Sequence, residues 1–91
     1  MIVESSVKER IRKFVQENLA EPRGMTSVSD HDYLIENGIL DSLGILRMVA
    51  FLEETFPIRV SDDEIVPENF KTIATIEKLA LSKLKTRSAA L

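Results

Sequence analysis

The 91-residue chain has no cysteine and no tryptophan, a single histidine, and three each of glycine and proline. Each scarcity excludes something. Without cysteine there are no disulfides and no thiolate metal sites, and one histidine leaves no imidazole cluster for a metal or a proton relay. Tyrosine and phenylalanine bring the aromatic share to only 5%, so the core must be built from aliphatic side chains. The N-terminus reaches charge at Glu4, Lys8, Glu9 and Arg10, too early for the apolar run of a signal peptide. No stretch approaches the length of a membrane span. These features lead to the expectation of a soluble cytoplasmic monomer that uses no metal.

Apolar residues make up 44% of the chain and charged residues 30%, a balance that supports one small globular domain and leaves little room for an enclosed active site. The net charge of −3 is unevenly laid out. Residues 1–40 carry 5 bases and 7 acids, 41–70 carry 2 and 7, and 71–91 carry 5 and 1. An acidic middle disfavours nucleic acid as a partner and suits basic protein surfaces.

Between Ser5 and Leu19 the residues Val7, Ile11, Phe14, Val15 and Leu19 recur at steps mostly of three or four, which predicts an amphipathic helix closed by Pro22 and Gly24. From Glu21 to about Gly38 the chain is rich in Ser, Thr, Asp, Asn and Gly and reads as a long loop, with Tyr33, Leu34 and Ile35 able to pin it across the domain. A second helix is expected from Ser42 to Phe56, with Ile45, Met48, Val49, Leu52 and Phe56 on its buried face. A short turn capped by Ser61 and stopped by Pro67 follows, and then a helix from about Thr72 that buries Ile73, Ile76, Leu79, Ala80 and Leu84. The expected fold is all-α: a four-helix bundle of three main helices and one short helix, with a long loop between helices one and two. Residues 1–85 form the expected domain and 86–91 a flexible C-terminal tail.

The chemistry concentrates in Gly38-Ile39-Leu40-Asp41-Ser42-Leu43-Gly44. By itself an Asp-Ser pair ahead of an apolar-periodic run is a helix N-cap. The wider order of features carries more. Tyr33-Leu-Ile-Glu-Asn-Gly-Ile-Leu-Asp-Ser-Leu is followed by Phe51-Leu-Glu-Glu-Thr-Phe-Pro-Ile and by Pro67-Glu-Asn-Phe-Lys-Thr-Ile. With these segments the chain resembles the acyl carrier protein family from about Val7 to Leu84, and Leu-Asp-Ser-Leu-Gly is similar to stand-alone carriers of dedicated pathways.

That resemblance implies a carrier with no catalytic residue of its own. Ser42 would be joined to 4′-phosphopantetheine, whose thiol holds acyl or aminoacyl intermediates as thioesters in fatty acid, polyketide or related biosynthesis. The partners implied are a phosphopantetheinyl transferase and the acyl- or aminoacyl-loading and transferring enzymes. A serine in the first helical turn suits the role, because the free N–H groups and dipole there favour a phosphate. Asp41 has two candidate roles, capping the helix and presenting a carboxylate to the transferase. Partner docking falls to Asp41, Leu43, Arg47 and Ala50, with Glu54 and Asp63 at an acidic edge. Glu53, Asp62 and Glu64 add to that edge. Gly44 and Arg47 stand where many fatty-acid carriers place acids, which is a departure from the family pattern.

Two other readings compete. A hydrolase would need Ser42 as nucleophile and His31 as base, but position 40 is leucine where the nucleophile elbow requires glycine, and the histidine precedes the serine. His31 is expected to be solvated, and Met25 and Met48 to be loop and core filler. A helical adaptor without a prosthetic group could be built from the same apolar stripes.

Overall fold

In the computed structural model the described residues are 4–25 and 27–89, with side chains described for 6–25 and 27–85. They form three α-helices and no strand: α1 (Glu4–Phe14), α2 (Ser42–Thr55) and α3 (Ile73–Ala89). The helix therefore continues into the segment expected to be tail, and residues 90–91 lie outside the described part.

The first helix does not run on as α to Leu19. After Phe14 the backbone widens into a π-helix over Val15–Ala20 and then tightens into a 3₁₀ turn over Glu21–Arg23. Pro22 supplies a cause: an α-helical continuation would set its ring against the Asn18 carbonyl. The wider turn places Leu19 and Ala20, consecutive residues, both in the core. Gly24 ends the run at φ 83°, a left-handed cap that glycine adopts without a Cβ penalty.

The short helix expected between α2 and α3 is two 3₁₀ turns, Asp62–Glu64 and Pro67–Phe70. Proline pushes the preceding residue out of the helical region. Val66 accordingly sits at φ −129° and ψ 150°, which separates the two turns. Ser61 and Glu64 form a capping box around the first of them, and Thr72 and Thr75 bond reciprocally at the start of α3.

The core joins Val7, Ile11 and Val15 of the first helical run to Met48 and Leu52 of α2 and to Ile73, Ile76 and Ala80 of α3, with Phe56 and Phe70 closing it. Phe14 and Phe51 stack with ring centroids 4.3 Å apart, and Phe56 meets Phe51 edge-on at 6.3 Å. These three rings clamp α1 to the end of α2. Leu84 and Ile45, expected in the core, are only partly buried against it.

Residues 24–41 form neither helix nor strand, Thr26 lying outside the described residues. The segment is tied down by specific bonds. The Leu34 N–H donates to the Lys71 carbonyl at 2.9 Å, and the Ala74 N–H to the Asp30 carbonyl at 3.1 Å. Arg12 donates twice to Asp30 Oδ1, at 3.1 and 2.5 Å, and Lys8 pairs with Asp30 Oδ2 at 3.6 Å. Of the apolar trio expected to pin the loop, Leu34 alone is buried; Tyr33 is 50% exposed and Ile35 36%. In a turn, neighbouring side chains point apart, so one of the three can enter the core. Tyr33 instead lies beneath the Lys71 ammonium, 5.5 Å from the ring centroid.

Candidate functional site: the start of helix α2

Three consecutive features fix the chain as it enters α2. Gly38 adopts φ 77°, the left-handed region, and turns the backbone back on itself. The N–H groups of Ile39 and Leu40 both donate to the Leu34 carbonyl, at 2.9 and 3.0 Å, and both side chains are fully buried. Asp41 then caps the helix from an extended conformation, its Oδ1 accepting the Gly44 N–H at 2.7 Å while its carbonyl accepts from Ile45 at 2.8 Å. Buried Ile39 and Leu40 act as an anchor, and the exposed Asp41, Ser42 and Leu43 stand out from it. Ser42 is the first residue of α2.

Gly44, which the family resemblance set at a position where many fatty-acid carriers place acids, is not part of the exposed face of α2. It is buried, and a Cβ there would lie 3.1 Å from Leu40 Cδ1 and 3.2 Å from Asp41 Oδ1. The glycine lets the anchor and the cap close over the first turn, which accounts for a residue of poor helix propensity at this point.

Leu43, Arg47, Ala50 and Glu54 are all exposed and follow one another along one face of α2 at three- and four-residue steps. Leu43 is 67% exposed and Leu46, which the sequence reading passed over, 57%. Leu46 was detectable: it falls outside the buried stripe of Met48, Val49 and Leu52, one turn from Leu43. The first turn of α2 carries no acidic residue. Asp63 is exposed on the Asp62–Glu64 turn, outside α2. Of the other acids expected at that edge, Glu53 accepts the Val60 N–H at 2.9 Å and Glu64 pairs with Lys83 at 2.9 Å, so both serve the fold. His31 is exposed, Met48 is buried, and Met25 packs against the core.

A second residue missed from sequence is Arg23. From the 3₁₀ turn that ends the first helical run it donates to the Gly38 carbonyl and, at 3.3 Å, to Asp41 Oδ2. No local pattern announces a contact across 15 and 18 residues. Among the described residues there is no cluster of three or more potential metal ligands, and no helix is long and apolar enough to cross a membrane.

No protein-family model matches the chain. Curated relatives do. The D-alanyl carrier protein of Streptococcus pyogenes is 32% identical over 76 residues, covering 84% of this chain and 87% of its own. The chain belongs to the acyl carrier protein family. It is also similar to aminoacyl carrier proteins 1 and 2 of Bradyrhizobium diazoefficiens. The first is 28% identical across 94% of both chains, and the second 26% identical across 91% of this chain and 92% of its own. In this member of the family Ser42 is exposed at the first position of α2, preceded by the buried Ile39-Leu40 anchor and the Asp41 cap.

Proposed function

We propose that this carrier holds an aminoacyl group as a thioester on 4′-phosphopantetheine attached to Ser42. The observation that carries this is the exposed serine at the first position of α2, set between a buried anchor and a carboxylate cap. The prosthetic group supplies a thiol on a long flexible arm, which the cysteine-free chain does not encode. The residues fit it: a phosphate on Ser42 sits at the positive end of the α2 dipole. The names of the relatives favour an aminoacyl cargo over the fatty-acyl or polyketide intermediates that the wider family resemblance allows.

In this reading Ser42 is a substrate. The hydroxyl oxygen forms the bond to the pantetheine-bearing phosphorus of coenzyme A, the diphosphate P–O bond breaks, adenosine 3′,5′-bisphosphate leaves, and the serine proton passes to a base that the phosphopantetheinyl transferase provides. Asp41 keeps the first turn of α2 closed through Oδ1 while its second carboxylate oxygen, Oδ2, accepts from Arg23 at the surface. Leu43, Leu46 and Ala50 offer an apolar docking stripe, Arg47 sets its charge, and Glu54 and Asp63 form its acidic edge. The loading and transferring enzymes meet this face, and the chain acts as a monomeric cytoplasmic carrier whose functional domain spans residues 1–85.

Intact mass after incubation with coenzyme A and a broad-specificity transferase tests the reading. The wild-type chain gains one phosphopantetheine, mapped to the peptide spanning Gly38 to Arg47. Ser42→Ala gains none and keeps its helical content, because Asp41 still caps α2. Equal gain by both proteins, or none by the wild type, sinks the proposal and leaves a helical adaptor as the better account.

A further inference from the structure

Placing a phosphodiester on Ser42 creates an electrostatic problem at the residue beside it. Asp41 is exposed and carries a carboxylate, and consecutive Cα atoms lie only about 3.8 Å apart. The loaded form therefore sets two negative charges side by side. The first turn of α2 offers no basic side chain to offset them, since Ser42-Leu43-Gly44-Ile45-Leu46 is uncharged.

The only cation that contacts this turn among the described residues is Arg23. Its guanidinium reaches across the base of the loop to the Gly38 carbonyl and to Asp41 Oδ2, the carboxylate oxygen left over by the cap bond to Gly44. Those two bonds use two of its five N–H donors. The side chain is 40% exposed, so the remaining donors are open to a ligand at the same spot. A guanidinium is suited to such a place, because its planar fork binds carboxylate and phosphate oxygens together in a way an ammonium does not.

We propose that Arg23 is the countercation of the prosthetic arm: it holds Asp41 and Gly38 in place and, in the loaded protein, bridges the Asp41 carboxylate and the phosphodiester on Ser42. This rests on the carrier reading above. It assigns Arg23 a positioning role, and no covalent bond to Arg23 is made or broken in loading. It also gives the contact across the loop a purpose beyond folding, since one side chain fastens both ends of the loop and neutralises the group mounted at its exit.

The test compares wild type, Arg23→Gln and Arg23→Lys, with Arg12→Gln as a structural control. Arg12 pairs with Asp30 and makes no contact with the α2 turn, so its loss weakens the loop without touching the proposed site. Each protein is prepared without the arm and, using coenzyme A and a broad-specificity transferase, with it. In the wild type the Arg23 Nε–H resonance shifts on gaining the arm. The ³¹P resonance of the phosphodiester moves in Arg23→Gln, moves less in Arg23→Lys, and stays in place in Arg12→Gln. At low salt Arg23→Gln loses thermal stability on gaining the arm while the wild type does not, and high salt narrows the gap. A protein that gains the expected mass with an unmoved Arg23 resonance and the same ³¹P signal in every variant overturns the proposal and leaves the carrier reading intact. Absence of any mass gain overturns both.

Discussion

The amide of Gly44 donates to Asp41 Oδ1 at 2.7 Å across the first turn of α2, and the same carboxylate oxygen would stand 3.2 Å from a Cβ at position 44. Cap and glycine are thus one device. Ordinarily Gly→Ala in a helix gains about 1 kcal/mol. Here the new methyl would also press on Leu40 Cδ1, which belongs to a side chain only 1% exposed and has little room to yield. Overpacking of that kind costs roughly 1–3 kcal/mol. Gly44→Ala is therefore expected to be neutral or destabilising in urea unfolding. A gain of the full helix-propensity increment would show that the cap and anchor can relax around the methyl.

Leu52 is fully buried on the inner face of α2 and Phe56 is 2% exposed where the helix ends. Leu52→Ala removes a side chain at the centre of a small core and should cost roughly 2–5 kcal/mol, a large share of the stability of such a domain. Chemical denaturation gives the number directly, and an unchanged midpoint would remove Leu52 from the core.

The helices were legible in the sequence wherever apolar spacing alone decides. Val7, Ile11 and Val15 gave the first, Met48, Val49 and Leu52 the second, and Ile73, Ile76 and Ala80 the third, all buried as their periodicity requires. Asp41 was legible as a cap, because the capping signal is local. What stayed hidden depends on proline geometry or on contacts between distant residues. The π-helix before Pro22 and the break at Val66 arise from the ring of a single proline acting on its own neighbourhood. Burial of Gly44 depends on Leu40 and Leu19 folding over it, and Arg23 reaches its partners across a loop. Periodicity carries no information about either.

Two carboxylates tie the middle of the chain together and should make its stability depend on acid. The hydrogen bond from Arg12, then the charges of Arg12 and Lys8, hold the Asp30 carboxyl below its usual 3.8 against the opposing effect of burial. The Ser61 backbone N–H and then Lys83 hold Glu64 below its usual 4.5. A carboxylate with a depressed pKa in the folded state stabilises above its unfolded pKa, and that contribution disappears as pH falls through the folded value. The fold should therefore weaken as pH drops below about 4. Asp30→Asn should be less stable than wild type at pH 7 and should lose less on acidification. Parallel midpoint-against-pH curves for the two proteins would show that Asp30 is not a source of the acid sensitivity.

Arg47 is the one charge on the exposed stripe between Leu43 and Ala50, and the acid-free first turn of α2 makes this face apolar and locally cationic. A partner that reads it must offer an apolar surface with an acidic group opposite Arg47, unlike a partner built for an acidic helix. Reversing the sign by Arg47→Glu places like charges together, which slows encounter and raises dissociation without disturbing the fold, because the side chain lies in solvent. If the proposed aminoacyl-carrier function holds, loading of Ser42 by a permissive transferase should change little, whereas acceptance of the aminoacyl group from the cognate loading enzyme should fall several-fold, with the deficit narrowing at high salt. Leu46→Ala should reduce the same step without comparable salt dependence, since it removes apolar contact from the proposed docking face and adds no charge. Steady-state kinetics of the two reactions, run on the same holo preparations, separate these effects. Equal rates for wild type and Arg47→Glu with the cognate enzyme would make Arg47 an ordinary solvated charge and move the recognition surface elsewhere on the domain.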